Sequence, residues 1–229
     1  MQSRYTELMD ELTLVYHLEQ IFKKKGFLAK KEIGTGYGIA DLVLTKLDKK
    51  KCGIRKHNRQ LTPLLKESYF TVLRHLPDID VDSDAMEYDE LLAKTNLSSQ
   101  FLKYDVLKTL ERYGFVKEVE KQKYFKVNGW VPLAKEVIAI EAKLQNWKRG
   151  FIQANRYKAF ADKVYLAMPE QYAHRVDQEL LKSHNIGLII LKNNLTSIKR
   201  ELEPTKKNHF VEDKRNYVLE HYLPHALGQ

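Results

Sequence analysis

The chain has 229 residues, is 43% hydrophobic and carries a formal net charge of +9, which leaves room for one large domain or two small ones and fits a polyanionic partner such as nucleic acid. Cys52 is the only cysteine, which excludes an intrachain disulfide framework and a Cys-rich zinc site. No apolar run approaches the roughly 20 residues of a membrane span, and Met1–Glu7 lacks the apolar core of a secretory signal, so a cytoplasmic protein without a membrane partner is expected.

From Tyr5 to Lys25, Leu8, Leu12, Val15, Leu18 and Phe22 recur at helical spacing, and Gly26 stops the helix. Leu28 to Ile33 reads as a strand, Gly34, Gly36 and Gly38 as a turn, and Asp41 opens a second strand running to Leu47. Lys49-Lys50-Lys51 and Arg55 to Arg59 form a basic connector. The pattern then changes. Helices are expected over 63–76, 87–95 and 99–113, with an acidic loop from Asp78 to Asp84 after the first and Ser98 as N-cap of the third. Phe115 to Val119 and Tyr124 to Val127 read as a hairpin with Glu120 to Lys123 at its tip. Strand–helix alternation resumes after Pro132: strands over 135–143, 163–168, 186–191 and 196–202, helices over 148–161, 170–183 and 210–222. His221 and His225 are four apart, but Pro224 between them argues against a shared metal-binding helix face. The expected fold class is α/β, with a core of residues 1–60 and 131–229 interrupted by a unit of residues 61–130.

Two stretches carry candidate chemistry. In Gly38-Ile39-Ala40-Asp41-Leu42-Val43-Leu44 an acid opens an apolar strand; in Val137-Ile138-Ala139-Ile140-Glu141-Ala142-Lys143 an acid and a lysine two apart share one strand face. If these strands form an antiparallel pair with the inserted unit at its tip, Asp41 and Glu141 become cross-strand neighbours, with Cβ atoms roughly 4.5–5.5 Å apart. Each piece alone has an ordinary reading: Glu141 and Lys143 as a salt pair, Asp41 as a turn residue, Gln153 and Tyr157 as a solvated helix face, and Trp147, Lys148 and Arg149 as a packing anchor with surface charge.

Taken in order, Asp41, Glu141-Ala142-Lys143 and then Gln153-Ala154-Asn155-Arg156-Tyr157 resemble the PD-(D/E)XK, or restriction-endonuclease-like, nuclease superfamily over residues 5–47 and 132–200. Ala40 stands where that pattern has proline. The resemblance implies a restriction-endonuclease-like mixed sheet flanked by helices. It also implies a Mg²⁺ (or Mn²⁺) site formed by Asp41, Glu141 and the backbone carbonyl of Ala142, with Lys143 beside it and Gln153 and Tyr157 in support. An acid on the first helix often joins such a site; Glu7 and Glu11 share a helical face, and Glu11 is the preferred candidate. The residue types suit phosphodiester hydrolysis: hard oxygen ligands hold the cation, and an ammonium offsets phosphate charge and orients or deprotonates water.

Three helices and a basic hairpin over residues 61–130 resemble a winged helix-turn-helix domain, which implies DNA contacts from Ser99, Gln100, Lys103 and Lys108 on the third helix and Lys121 and Lys123 on the wing, with the acidic loop facing away. The expected activity is DNA endonuclease, with a restriction or phage-defence role compatible with it. A homodimer is expected because cutting both strands at one site usually takes two active sites. The rivals are a structure-specific (junction) nuclease and a non-catalytic DNA-binding regulator on the same fold.

Overall fold

The computed structural model describes residues 9–34, 36, 38–127, 130–206 and 211–228. Helix α1 spans Glu11–Lys24, and Asp10 caps it by accepting from the Thr13 amide at 2.7 Å. The expected start at Tyr5 falls outside the described residues. The buried stripe is Leu14, Val15, Leu18, Ile21 and Phe22, whereas Leu12, expected on that face, is 71% exposed. Strands β1 (Leu28–Gly34) and β2 (Ile39–Leu47) follow. The expected connector is instead helix α2, Lys49–His57, which Asp48 caps through the Lys50 and Lys51 amides. Its sequence hides it because only Cys52 and Arg55 are buried, too few for an apolar period.

Helix α3 (Glu67–His75), a two-residue strand β3 (Met86–Glu87) and α4 (Tyr88–Thr95) come next. A π-type turn over Phe101–Leu107 continues directly into α5, Lys108–Arg112. Strands β4 (Val116–Glu120) and β5 (Lys123–Lys126) precede β6 (Ala134–Ala142). The remainder is α6 (Trp147–Tyr157), β7 (Lys163–Pro169), α7 (Glu170–Ala173), α8 (Gln178–Ser183), β8 (Gly187–Leu191), β9 (Ile198–Leu202), α9 (Glu212–Glu220) and α10 (Leu223–Leu227). The single helix expected over 170–183 is two, because Asp177 leaves helical geometry to cap α8 through the Leu180 amide.

The larger sheet has six strands in the order β1-β2-β6-β7-β8-β9. β1 pairs antiparallel with β2, β6–β7 and β7–β8 are parallel, and β9 closes the edge antiparallel. Parallel neighbours need crossover connections, which α6 and the α7–α8 pair supply. Asp41 accepts from the Ala142 amide, and Thr45 donates to the Glu136 carbonyl further along. Since one number falls as the other rises, β2 and β6 run antiparallel. This is an α/β fold with a mixed sheet flanked by helices. The α1 stripe covers one face over Leu42, Leu44, Ile138, Ile140, Tyr165, Ala167 and Ile189. Helix α6 packs against β7, and Gly150 makes the close approach possible: a Cβ there would lie 2.7 Å from Leu166 Cδ1. Among the described residues no helix is long and apolar enough to cross a membrane.

The chain divides into two compact units. One takes the described residues to Lys46 and Glu136–Val211; the other takes Leu47–Lys135 and the described residues from Glu212. Two boundaries therefore differ from expectation: residues 47–60 and the C-terminal helices belong to the second unit, not to the sheet unit. The reason is a buried ion pair. Arg55 Nη1 donates to Glu220 Oε1 at 2.6 Å, and both side chains are fully buried. Glu220 also accepts from the Leu64 amide (2.9 Å) and from Trp130 Nε1 (2.8 Å), while the guanidinium caps the Gln60 carbonyl. Thr71 and Arg74 on α3 hold Asp213 at the start of α9. An apolar core built on Phe70, Leu73, Leu91, Leu102, Val106, Leu110 and Phe115 fills the unit, and β3-β5-β4 form its small sheet.

Glu220→Ala should strand a buried guanidinium and destabilise the fold by about 3–5 kcal/mol. A double Arg55→Leu/Glu220→Leu variant should recover only part of that loss: no uncompensated charge remains, but the Leu64 amide, Trp130 Nε1 and the Gln60 carbonyl lose their partners. Urea unfolding of the three proteins measures both.

Candidate active site

Where β2 and β6 meet, the Asp41 carboxylate accepts from the Ala142 amide at 2.8 Å. The next residue, Lys143, donates its own amide to the Ala167 carbonyl at 3.0 Å, which holds the chain end in the sheet. Its ammonium turns back into a nest of oxygens. Nζ lies 2.7 Å from Glu141 Oε1, 3.0 Å from the Ala142 carbonyl oxygen, 3.3 Å from Glu11 Oε2 and 3.8 Å from Asp41 Oδ2. The contact with Glu141 Oε1 is an ion pair; among the described residues that buried oxygen has no aligned hydrogen bond. The Tyr157 hydroxyl shares its proton between Glu141 Oε2 at 2.5 Å and the Ile39 carbonyl at 2.7 Å. Glu141 is fully buried and Lys143 nearly so, while Asp41 is half-buried.

Electrostatics follow from this geometry. Burial pushes the Asp41 carboxyl above its ordinary range despite the Ala142 amide and the Lys143 charge, and Glu11 and Glu32 add to the shift. Burial likewise raises Glu141 against the pull of Lys143 and Tyr157. For Lys143 burial alone would lower the pKa, but Glu141, Asp41 and Glu11 outweigh it and the ammonium is held more firmly. Burial and then Glu141 raise the Tyr157 phenol, so it stays a hydrogen-bond donor.

Asp41, Glu141, Ala142, Lys143, Tyr157 and Glu11 thus come together, from four segments of the chain. Glu7 lies outside the described residues. Gln153 is on α6 between Gly150 and Tyr157 but bonds to none of the others; its buried Oε1 lacks a hydrogen-bond partner among the described residues. Glu32 escaped the sequence reading. The flanking pairs Lys31–Leu42 and Ile33–Ala40 place it opposite Asp41, and its φ of +55° interrupts the pairing there. Positive φ at a glutamate is a costly conformation, of the kind found beside functional sites. The hairpin register centred on Gly34 and Ile39 was the signal that could have found it.

Among the described residues, no group of three or more His, Cys, Asp or Glu side chains is gathered closely enough to hold a metal ion. The donor set nevertheless suits a hard divalent cation: three carboxylates and a carbonyl already surround one ammonium, and Mg²⁺ commonly needs only one or two carboxylates.

In the second unit Ser99, Gln100, Lys103, Lys108 and Lys121 are exposed. The Ser99 hydroxyl lies 2.9 Å from the Tyr88 hydroxyl, and Lys103 and Lys108 flank the Tyr104 ring. Lys123 is paired with Glu120 at 2.9 Å, which raises its pKa. Glu87 and Asp89 line one surface depression with Lys121 and Lys123. The acidic loop runs beside β5, where the Ile79 amide donates to the Lys126 carbonyl. Residues 61–130 hold ten Lys and Arg against twelve Asp and Glu, so the excess positive charge of the chain lies elsewhere.

Comparison with known proteins adds nothing to this geometry: no protein-family model, curated protein or solved structure matches the chain.

The raised Asp41 pKa fixes the sign of a pH effect. The folded state holds that proton more tightly than the unfolded chain, so the ionised group weakens the fold and the penalty fades as pH falls through the folded pKa. Asp41→Asn keeps an acceptor for the Ala142 amide and carries no charge. In EDTA, the melting temperature of the wild type relative to Asp41→Asn should therefore rise between neutral pH and about pH 4. Paired thermal melts across that range check it.

Proposed function

We propose that this chain is a Mg²⁺-dependent DNA endonuclease of the PD-(D/E)XK type, with a winged-helix segment in its second unit. The observation that carries the reading is the convergence of Glu11, Asp41, Glu141 and the Ala142 carbonyl on Lys143 Nζ. A structural salt bridge needs one acid for one lysine. Three acids gathered at one half-closed strand end carry a charge deficit that a single ammonium leaves uncompensated, and a divalent cation offsets it.

Asp41, Glu141 and the Ala142 carbonyl would hold the metal, with Glu11 in reach. The bound cation would supply Lewis-acid stabilisation of charge on the phosphate oxygens. The residues do the rest. Lys143 offsets phosphate charge and orients the attacking water, whose oxygen bonds to phosphorus as one ester P–O bond breaks and a proton passes to the leaving oxygen. Tyr157 fixes the Glu141 carboxylate by hydrogen bond and Asp41 is fixed by the Ala142 amide, so both present oxygens without reorganisation. Gln153, four residues before Tyr157 on α6, would help position Lys143 or a phosphate through its amide group. The order α3, α4, α5 and the β3-β5-β4 sheet supports the winged-helix reading, in which Gln100, Lys103 and Lys108 face DNA. Two copies would cut both strands.

The decisive experiment incubates supercoiled plasmid with protein in Mg²⁺ and then in EDTA. Wild type should nick or linearise it only with metal. Asp41→Asn and Glu141→Gln should abolish cleavage while retaining DNA binding in Ca²⁺. Lys143→Ala should slow turnover by on the order of a hundredfold or more with affinity little changed. Cleavage by Asp41→Asn at the wild-type rate would overturn the assignment.

A further inference from the structure

Residues 61–130 are net acidic, so a further phosphate-binding surface is expected where the chain's excess positive charge lies. Its strongest candidate is α2 and its flanks. From Lys46 to Arg59 the chain carries seven Lys and Arg against one acid, Asp48. Asp48 is occupied as the helix cap, and Glu220 neutralises Arg55. Lys49, Lys50, Lys56, His57 and Arg59 are all exposed. Among the described residues, no carboxylate forms an ion pair with Lys49, Lys50, Lys56 or Arg59.

The shape of this surface is as informative as its charge. Lys49, Gly53 and Lys56 fall on one stripe of the helix, at spacings of four and three residues. They border a cavity of about 420 Å³ whose apolar wall is Leu47, Cys52 and Ala226 and whose remaining edge is His225. Gly53 sits mid-helix, where glycine costs about 1 kcal/mol relative to alanine. Packing does not require it, since a Cβ there would meet nothing within 4 Å. An unneeded gap between two lysines leaves a space for something outside the protein. The lysines are about 10 Å apart along the helix axis, and duplex DNA carries a charge every ~1.7 Å, so both reach phosphates of one duplex together.

We infer that α2 is the phosphate-gripping surface for the DNA substrate, with Lys49 and Lys56 contacting the backbone and Gly53 admitting it. The inference rests on the nuclease reading for the identity of the polyanion. Neutral lysine replacements on this exposed face leave the buried Cys52 and Arg55 in place.

Binding of the full chain to a short DNA duplex in Ca²⁺, followed by fluorescence anisotropy between about 50 and 200 mM KCl, tests it. Lys49→Gln/Lys56→Gln should reduce the slope of log affinity against log salt by about 1.8, or 0.9 per lost phosphate contact. The charge-matched control Lys24→Gln/Lys182→Gln, at exposed positions in the other unit, should leave the slope unchanged. Gly53→Gln, which fills the gap without changing charge, should weaken binding at least threefold while the melting temperature is held or raised. If the wild type cleaves plasmid and the lysine pair keeps the wild-type slope, α2 is not the DNA face and the nuclease reading stands. Equal loss of slope in the control pair overturns the inference as well, because net charge alone then accounts for binding. If the wild type neither binds nor cleaves DNA, both readings fall. Capture of the wild type by phosphatidylserine vesicles, lost in the lysine pair while DNA binding is unchanged, assigns the face to an anionic lipid surface and overturns the proposal.

Discussion

The antiparallel pairing of β2 with β6 is the constraint on which the rest of the molecule depends. These strands are separated by the whole segment from Asp48 to Leu133, yet the Asp48 amide still donates to the Leu133 carbonyl, so the pair persists to the point where the chain leaves the sheet. Everything between is an insertion at the tip of a hairpin, a position that tolerates added domains because both ends are already held together. At the opposite end, the same pairing brings Asp41 to the Ala142 amide and so to Glu141 and Lys143. One register choice therefore fixes both where the inserted segment leaves the sheet and where the charged cluster forms.

That cluster is expensive in the folded state. Glu141 is fully buried, and burial pushes both it and Asp41 toward the protonated form. A chain optimised for stability alone would place apolar residues there, since a buried ion pair is often no better than well-packed hydrocarbon. Glu32 in a left-handed conformation adds a second local cost beside the same acids. Excess negative charge, a fully buried carboxylate held only in part by its lysine and backbone strain occur in one place. Under the proposed function, these are the costs that a site for a cation and a phosphate would carry.

The second unit handles charge in the opposite way. Its buried pair, Arg55 with Glu220, has four donors to the carboxylate and further carbonyl acceptors for the guanidinium, so little of either group is left over. This satisfied pair ties the basic helix α2 to the end of α9. It explains how a segment as charged as Lys46 to Arg59 folds with only two buried side chains on its helix. The remaining lysines are then free to face outward, while the acidic residues gather on the helical and small-sheet segment. Under the proposed function, phosphate affinity and base contact reside in different parts of the unit.

Local pattern was enough for much of this. Alternating apolar runs and helical stripes in residues 28–47 and 134–202 specify strands and crossover helices, because side-chain periodicity follows backbone geometry. The break in that pattern marks the insertion. The spacing of Asp41 and of Glu141-Ala142-Lys143 marks the strand ends where the charged cluster forms. Other features were not written locally. Glu11 reaches Lys143 across 132 residues and Tyr157 reaches the Ile39 carbonyl across 118, contacts that exist only once the sheet is assembled. Leu12 faces outward although its spacing fits the stripe, because Leu14 gives the helix a better phase against the sheet. Helix α2 has no apolar period at all; a cap at Asp48 and a buried partner at Glu220 make it a helix. Periodicity encodes what one segment buries, whereas a charge is stabilised by whichever distant group meets it, and that meeting is decided by the tertiary fold.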